Sequence, residues 1–566
     1  MDFKKIIGET IGGIAASADE IYSLLAVPAQ SEMGDYCLPC FKLAKTLKKP
    51  PQAIAAELKE TVEKRRDYRP FTMSVVGGYL NFAIDKSFTA KCVLPEILGG
   101  GEEFAPAEKN GKTICIDYSS INIAKPFHIG HLLTTAIGGS LYRIYKRLGY
   151  NVVGINHLGD WGTQFGKMIV AYLKWGNRAD VEKRGVHALV ELYVRFHKEA
   201  EVSPELEDEA RAWFKKIEDG DSRALELFDY FRTVTLKEVK KVYDRLGIEF
   251  DSYNGESFYN DKLAGVVKLL EDKNLLTTSE GAKIVDLESD GMPPCLILRS
   301  DGASLYATRD LAAAIYRKQT YDFDKNLYVV AYQQNLHFKQ VFKVLEKCGF
   351  DWAKDCVHVP FGMVSLEGGG SLSTRSGNVV YLSDVLSTAV EKAERVIEEK
   401  NPSLKDKKAV AEQVGVGAVL FMALSTSRIK DLVFSYDKAL SFDGETAPYL
   451  QYTHARCRSV KDKCAGVTLD GDIDYSVLSD EKSIAVVRLL NRYSDVITDA
   501  AEKYEPSIIS KYLIDLAQSY NAFYVDHRIF GEKPEVTKAR LALSECVRKV
   551  LKDGLNLLLI KAPDAM

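Results

Sequence analysis

Apolar residues recur at helical spacing in one stretch of the chain, and a short apolar run lies on either side of it. The first run, residues 113–116, has the length and composition of a buried strand. After Pro126, which the first turn of a helix tolerates, one helix face carries an apolar stripe. The stripe consists of Ile129, Leu133, Ile137, Leu141, Ile144 and Leu148. Gly149 is placed to stop the helix and residues 150–155 begin a second strand, so the pattern predicts a strand–helix–strand unit.

The polar residues of this unit gather at the turn between the first strand and the helix. Lys125, His128, Gly130 and His131 stand there, and histidines three positions apart share one helical face. Unpaired backbone N–H groups and the positive end of the helix dipole favour an anion at such a turn, and Gly130 admits it close to the backbone. A single histidine at a helix start is usually a cap or a packed core group. The pattern His-x-Gly-His after a lysine instead favours a phosphate-binding site.

Two later apolar runs, residues 326–332 and 358–364, have the composition of strands in a parallel sheet. Polar residues follow the first of them directly, and the carboxyl ends of parallel strands line a ligand crevice. Upstream, Tyr306 and Asp310 lie four residues apart at a predicted helix start and share a face. From these residues alone, a binding pair and an exposed surface pair are equally open.

The remaining regions differ in their patterns. Residues 1 to about 108 have the pattern of a small α+β domain, with a strand-like run at 73–85. Between about 167 and 300 the sequence is rich in charge and predicts a mostly helical insertion without a chemical motif. From about residue 385 onward the pattern predicts helices only, and the apolar run at 414–423 is too short to span a membrane.

Composition sets limits rather than indicating a function. The chain has 566 residues, of which 46% are hydrophobic, and this is ordinary for a soluble protein of about three or four domains. The formal charge of -4 means that a nucleic-acid partner would need local basic patches. The ten cysteines are scattered, so reduced thiols in the cytoplasm are expected. Cys37 and Cys40 form the only C-x-x-C pair and no second ligand pair is near, so no metal site is expected.

Residues 128–131, His-Ile-Gly-His, resemble the HIGH signature of class I aminoacyl-tRNA synthetases. The flanking strings SSINIAKP at 119–126 and HLGDWGTQFG at 157–166 resemble arginyl-tRNA synthetases in particular. The resemblance covers most of the chain. It implies a multidomain α/β fold, with a Rossmann-like class I synthetase catalytic domain, an N-terminal α+β domain and a C-terminal all-α anticodon-binding domain.

The resemblance also implies boundaries and an activity. The four parts are an N-terminal tRNA-elbow-binding domain at 1–108, a Rossmann-like catalytic domain at 109–385 with the helical insertion at about 167–300, a helical stem at 386–445 and an all-helical anticodon-binding domain at 446–566. The implied activity is that of an arginine–tRNA ligase: L-arginine and ATP form arginyl-adenylate, and arginine passes to the 2′-hydroxyl of the terminal adenosine of tRNA(Arg). Mg²⁺ would accompany ATP, and a cytoplasmic monomer without membrane association is implied.

For the amino acid, the resemblance implies that Asp310 with Tyr306 binds the guanidinium, and that Asp117 is the second choice. The residues implied around arginine are Asp117, Ser120, Ile121, Asn122, His131, Tyr306, Asp310 and Gln334. Those implied around ATP are His128, Gly130, His131, Gly159, Asp160, Ser373, Thr374 and Arg375. The chain departs from the family pattern, which usually has Glu at Asp117, Pro at Ile121 and Arg at Leu133.

The string EGGGSLSTRSGNVV at 367–380 resembles the second class I signature, KMSKS, in its arginyl form. Family members usually keep a lysine in or beside this loop, whereas here serines stand in its place and Arg375 supplies the positive charge. We therefore expect Lys125 and Arg375 together to stabilise pyrophosphate. The implied catalytic residues are Lys125, His128, His131 and Arg375.

Contacts with tRNA are implied in both terminal domains. The candidates are Tyr79 and Asn81 for the tRNA elbow, and Phe442, Asp443, Tyr449, Tyr520 and Tyr524 in the helical region. Aromatic side chains stack on splayed anticodon bases, although core packing is the more frequent role of a helical tyrosine.

Two other functions stay open from the sequence. One is a different nucleotidyl-transfer enzyme with the same His-x-Gly-His turn, and the two terminal domains argue against it. The other is a tRNA-binding paralogue that has lost catalysis, which the missing loop lysines favour. Arginine-dependent ATP–pyrophosphate exchange discriminates between these functions, and the resemblance implies that this exchange needs tRNA.

Overall fold

The computed structural model describes residues 2–28, 30–65, 70–101, 104–367 and 380–566. The chain forms two compact units. One contains Met1–Glu103, Cys457–Ser494 and Asp515–Val550, and the other contains Phe104–Arg456, Asp495–Ile514 and Leu551–Met566. Both units are discontinuous in sequence, because the C-terminal helices contribute to each of them.

The N-terminal part of the first unit has the α+β composition that its pattern predicts. Its helices are α1 (Phe3–Ile11), α2 (Ala18–Leu24), α3 (Phe41–Leu47), α4 (Pro51–Glu63) and α5 (Lys86–Gly99). Its strands are β1 (Tyr36–Pro39), β2 (Phe71–Val76) and β3 (Tyr79–Ile84). They form an antiparallel sheet in the order β1-β3-β2.

The second unit contains the predicted parallel sheet. Its strands are β4 (Thr113–Asp117), β5 (Asn151–Ile155), β6 (Leu276–Ser279), β7 (Ala282–Val285), β8 (Cys295–Leu298), β9 (Lys325–Ala331), β10 (Cys356–Phe361), β11 (Val364–Leu366) and β12 (Leu432–Phe434). Four of them form the parallel sheet in the order β10-β9-β4-β5. β6, β7 and β8 form a small antiparallel sheet, and β11 pairs in parallel with β12.

The second unit also contains helices. In chain order they are α6 (Leu132–Arg147), α7 (Gln164–Trp175), α8 (Arg178–Arg184), α9 (Val186–Ala200), α10 (Glu205–Glu218), α11 (Ser222–Leu246), α12 (Leu263–Asp272), α13 (Tyr306–Tyr321), α14 (Asn335–Lys347), α15 (Leu382–Lys400), α16 (Lys407–Ser425) and α17 (Tyr436–Ala439). The last part of the chain adds α18 (Ala447–Lys463), α19 (Glu481–Asn491), α20 (Tyr493–Glu502), α21 (Ser507–Asp526) and α22 (Pro534–Leu557). From Ala447 onward the described elements are all helical, as predicted.

Two regions contain strands where the sequence pattern predicts helices. The β6–β8 sheet lies inside the insertion at 167–300, and β12 lies beyond residue 385. β6 has four residues that are mostly exposed, so it carries no alternating apolar pattern. β12 has three residues and is paired with β11, which is distant in sequence, so no local signal encodes it.

Helix α16 is longer than the apolar run that the sequence indicates. Among the described residues it is the one helix long and apolar enough to cross a membrane by length and composition alone. Of its most apolar 18 residues, 67% are buried inside the protein. It packs against α15 and α6, as a core helix does.

The order of the parallel sheet places the end of β4 at its centre. Asp117 pairs in register with Ile155 of β5 on one side and with Tyr328 of β9 on the other. Because the carboxyl ends of parallel strands meet at one edge, the residues that follow these strands are brought together. The predicted helix start is wrong in detail: Pro126 precedes a 3₁₀ turn at Ile129–His131, and α6 begins at Leu132.

Candidate active site

Both histidines of the predicted phosphate site lie in the turn after β4, and each ring caps this turn. The backbone N–H of Gly130 donates to Nδ1 of His128 at 3.0 Å, and the N–H of His128 donates to Nδ1 of His131 at 3.3 Å. The two ring centroids lie 4.1 Å apart. Because Nδ1 of His128 accepts, the proton of that ring is assigned to Nε2. Nδ1 of His131 lies 3.3 Å from both the N–H and the carbonyl oxygen of His128, so either tautomer of His131 satisfies this contact. The turn therefore offers the Nε2–H of His128 as a side-chain donor in addition to the first N–H groups of α6.

Both imidazoles are neutral at physiological pH. Burial, with repulsion from His128 and Lys125, lowers the pKa of His131 to about 3. Burial also lowers the pKa of His128. Neutral rings supply hydrogen bonds but no charge, so Lys125 is the source of positive charge beside this turn.

Gly130 is required by the turn itself. A Cβ atom at this position would lie 2.7 Å from the ring of His128. The sequence pattern predicts that Gly130 lets a ligand approach the backbone. In the structure, the ring of His128 occupies the space beside Gly130. Gly159 is explained in the same way, because a Cβ there would lie 2.4 Å from Oδ1 of Asn122.

The segment that leads from β4 to this turn is strained. Ser119, Ser120 and Ala124 have φ angles of 69°, 43° and 58°, which residues other than glycine rarely adopt. Buried hydrogen bonds hold them: the N–H of Ser119 donates to Oγ1 of Thr134 at 3.0 Å, and that of Ala124 donates to Oγ1 of Thr235 at 3.1 Å. Strain of this kind persists where surrounding contacts over-determine the backbone, and it concentrates at functional sites.

Two side chains of the predicted site are not accessible. Ile121 is 2% exposed and belongs to the core, so its side chain is not available to arginine. Asp160 is fully buried, and it accepts from the N–H and the hydroxyl of Ser257 at 2.9 and 2.8 Å. Its carboxylate therefore anchors a neighbouring segment, and its predicted contact with ATP is not supported. Asn122 is exposed and forms a short parallel bridge with Gly159.

Asp117 is neutralised inside the protein. Its Oδ2 accepts from Nη2 of Arg317 at 2.7 Å, and its Oδ1 accepts from the hydroxyl of Ser120 at 2.7 Å. Arg317 is 1% exposed; burial opposes its charge, but the Asp117 carboxylate raises the pKa of Arg317 well above its ordinary value. The structure therefore corrects the prediction for Asp117, whose carboxylate serves a buried ion pair rather than the substrate guanidinium. The contact of Ser120 with the α-amino and carboxylate ends of arginine stays a prediction.

Asp310 has a different environment. Nε2 of His337 donates to Oδ2 of Asp310 at 2.6 Å, and the two side chains are 22% and 23% exposed. Tyr306 shares a face of α13 with Asp310, as predicted, and is 72% exposed. Gln334, which follows β9, is also exposed. The acid, the phenol and the amide predicted for arginine are thus all accessible.

Sequence reasoning missed Glu256, which lies in a 3₁₀ turn without any recognisable motif. Burial raises the pKa of Glu256 to about 7, and the charges of Arg309, Asp310, Asp160 and Lys125 act on it. A carboxyl group that titrates near neutral pH among other charges is typical of an active site.

Arg317 and His337 were missed as well. Arg317 falls seven residues after Asp310 on the same helix, so helical periodicity could have placed both on one face. His337 follows β9 within the polar string that the sequence singled out, but nothing in that string indicates its partner.

A cavity of about 510 Å³ joins Lys125 to Tyr306. Its wall also includes Trp161, Gln164 and Lys167. This volume is within the usual range of small-molecule sites, about 300–1,000 Å³.

The remaining predicted ATP contacts, at 373–375, lie outside the described residues. The chain that follows them returns to the histidine turn. The N–H of Ile129 donates to the carbonyl of Val380, and the N–H of Leu382 donates to the carbonyl of Phe127, both at 3.0 Å.

The predicted tRNA contacts divide into accessible and buried side chains. Exposed or half-buried side chains belong to Tyr79, Phe442, Asp443, Tyr449 and Tyr524. Asn81 is 2% exposed, and Tyr520 is fully buried with its hydroxyl 2.7 Å from that of Ser544. Both belong to the core, so the structure contradicts their predicted contact with tRNA.

Three family models match the chain. The model of the "tRNA synthetases class I (R), catalytic domain" matches residues 93–436, the "DALR anticodon binding domain" matches 450–566, and the "Arginyl tRNA synthetase N terminal domain" matches 1–84. The first of these alone matches more than half of the chain.

Similar proteins extend over the whole length. Two relatives named "Arginine--tRNA ligase", from Alkaliphilus metalliredigens and Clostridioides difficile, are 51% and 53% identical, with 100% and 97% of each chain covered. The structure of arginyl-tRNA synthetase from Thermus thermophilus matches with a TM-score of 0.84 at 26% identity, and both chains are covered completely. The chain therefore belongs to the class I arginyl-tRNA synthetase family.

Proposed function

We propose that this chain is an arginine–tRNA ligase, which activates L-arginine with ATP and transfers it to the 2′-hydroxyl of the terminal adenosine of tRNA(Arg). Its membership of the arginyl-tRNA synthetase family over the whole chain supports this activity. The proposed site rests on one arrangement of residues. The turn that contains His128 and His131 follows β4, and His337, the partner of Asp310, follows the adjacent strand β9.

Activation requires no protein nucleophile. The arginine carboxylate attacks the α-phosphorus of ATP in line and pyrophosphate leaves, so the chain acts by positioning and by charge. We assign the triphosphate to the Nε2–H of His128 and to the ring of His131, together with the N-terminus of α6. The positive charge is assigned to Lys125 and Arg375, because preorganised charge stabilises the transition state most where water is excluded.

Arginine is selected through an ion pair between its planar guanidinium and a carboxylate of the chain. Asp310 supplies the negative charge for the guanidinium, with Tyr306 and Gln334 as accessible neighbours. Asp117 is already paired with Arg317, so Asp310 is the acid whose charge remains for the substrate. A site built to bind specific donors rejects side chains that lack them, and selection of arginine then needs no separate editing site.

The finer assignments belong to the same proposal. In the part of the chain that the structure describes, no group of three or more His, Cys, Asp or Glu side chains could hold a metal ion. Mg²⁺ would be bound by the phosphates of ATP, whose negative charge it would offset. All ten cysteines are free thiols, which suits a cytoplasmic protein, and we propose that it acts as a monomer. The proposed tRNA contacts are Tyr79, Phe442, Asp443, Tyr449 and Tyr524.

Arginine-dependent exchange of pyrophosphate into ATP, measured with and without tRNA(Arg), tests the proposal. We expect exchange only when arginine and tRNA are both present. Exchange driven by another amino acid would contradict the assigned substrate. Retention of tRNA on a filter without exchange or aminoacylation would instead support a paralogue without catalysis, which the absence of lysine from residues 367–380 favours.

A further inference from the structure

One side chain of the next helix orients Asp310. His337 lies in the first turn of α14, and its Nε2 is 2.6 Å from Oδ2 of Asp310. A carboxylate only accepts hydrogen bonds, so the imidazole donates and its proton lies on Nε2. The other oxygen, Oδ1, has no hydrogen-bond partner among the residues that the structure describes. One oxygen is therefore held while the other is open to a ligand.

The neighbouring arginine is not the counter-charge of Asp310. Nη1 of Arg309 donates to Oδ1 of Asn260 at 2.6 Å and to the carbonyl of Glu256 at 3.2 Å. Among the described residues, His337 is the one ion-pair partner of Asp310. Burial and then the charge of Asp310 raise the pKa of the Cys295 thiol to about 12.

We propose that His337 is a positioning residue for arginine: it fixes the plane of the Asp310 carboxylate and leaves Oδ1 for the substrate guanidinium. This inference rests on the proposed function, because it names the group that presents the arginine-binding acid. A guanidinium binds a carboxylate as a planar fork, so a carboxylate free to rotate loses one of the two hydrogen bonds. His337 does not touch the reacting atoms and acts through Asp310.

A donor without a permanent charge suits this position. A lysine or arginine in place of His337 would cancel the charge of the acid, as Arg317 does for Asp117. Glutamine carries N–H donors at Nε2 and no charge, so His337→Gln keeps the hydrogen bond to Oδ2 of Asp310, whereas His337→Ala removes it.

The test compares the KM for arginine with the KM for ATP in the exchange reaction with tRNA present. For His337→Ala we expect the arginine KM to rise about 10–100-fold, because a hydrogen bond to a charged group is lost. The ATP KM and kcat should stay within about threefold of the wild type, since a contact made equally in ground and transition states changes KM alone. For His337→Gln the arginine KM should stay within about threefold of the wild type.

His358 provides a matched control. It is a histidine of β10 whose Nε2 donates to the carbonyl of Val330 at 2.9 Å and whose ring stacks on Phe338. His358→Gln makes the same exchange close by without touching Asp310, so the arginine KM should not change. Melting temperatures verify that each variant is folded. If His337→Ala does not fold, His337→Phe keeps a ring without a donor and carries the same expectation.

Three results would overturn the proposal. An unchanged arginine KM in the folded variants without a donor would show that Asp310 does not depend on His337. An equal rise in the KM of arginine and of ATP would indicate a merely structural role. A failure of His337→Gln to restore the arginine KM would show that the hydrogen bond to Oδ2 of Asp310 is not what matters. Failure of the proposed function itself looks different, because the wild-type chain would then show no arginine-dependent exchange.

Discussion

Two carboxylates of the second unit, Asp117 and Asp310, make equally short bonds to very different partners. The bond lengths are 2.7 and 2.6 Å, so distance does not separate them. Asp117 has a side chain that is 8% exposed and faces Arg317, whose charge is permanent. Asp310 has a side chain that is 22% exposed and is held by the imidazole of His337.

At these two sites the partner, more than the acid, indicates the role. A buried acid with a permanent counter-charge is already satisfied, and losing either partner leaves a charge without compensation. An acid without a permanent counter-charge is the better candidate for binding a cationic ligand. Substitutions at the two sites should therefore change different measurements: stability at Asp117 and Arg317, and arginine binding at Asp310.

The largest effect is expected from Arg317→Met. It leaves the buried Asp117 carboxylate uncompensated and should lower the free energy of unfolding by about 3–5 kcal/mol. Urea unfolding followed by tryptophan fluorescence reports this loss, because all four tryptophans lie in the unit that contains the pair. The double variant with Asp117→Asn should recover most of it. A double variant no more stable than Arg317→Met would mean that the two residues do not stabilise each other.

The second effect is expected from Asp310→Asn, which removes the charge and keeps the shape. It should lower kcat/KM for arginine about 10²–10³-fold, with the urea midpoint and tRNA binding unchanged. Asp322→Asn is the control, because Asp322 ends the same helix and is exposed in a pair with Lys318. A loss of stability as large as that of Arg317→Met would remove the distinction between the two acids.

A third acid extends the comparison through pH. Burial raises the pKa of Glu256 from its ordinary 4.5 to about 7. Between these pH values the folded chain holds a proton that the unfolded chain has released, so stability falls as pH rises through this window. Glu256→Gln removes that loss. Its free energy of unfolding relative to that of the wild type should therefore increase by on the order of 2 kcal/mol between about pH 4 and pH 8. Parallel stability profiles for the two proteins over this range would contradict the raised pKa.

The smallest effect is expected from Ser120→Ala. The hydroxyl of Ser120 donates to Oδ1 of Asp117, so its loss should lower the free energy of unfolding by about 1 kcal/mol. The arginine KM should change by less than about twofold. A large rise in the arginine KM with unchanged stability would instead support the contact of Ser120 with arginine that the family resemblance implies.

The strand–helix–strand unit could be predicted because its signals are local. The apolar stripe of α6, the stop at Gly149 and the two short strands are all encoded within one continuous stretch. The start of α6 could not be predicted, because His128 and His131 cap each other in a separate 3₁₀ turn. The helix propensities of single residues do not predict a pair of side chains that cap each other.

The partners in the site could not be predicted, because they are distant in sequence. Asp117 and Arg317 are 200 residues apart, and Asp310 and His337 are 27 residues apart. Residue type also does not determine burial. Tyr520 has a side chain suited to base stacking, yet tertiary packing places it in the core.

The position of Arg317 has a consequence for a cation bound at Asp310. Arg317 lies seven residues after Asp310 on α13, two helical turns along the same face and about 10 Å away along the axis. Because the carboxylate of Asp117 compensates its charge, Arg317 forms a closed ion pair. A cation at Asp310 would therefore meet little repulsion from the arginine on the same helix.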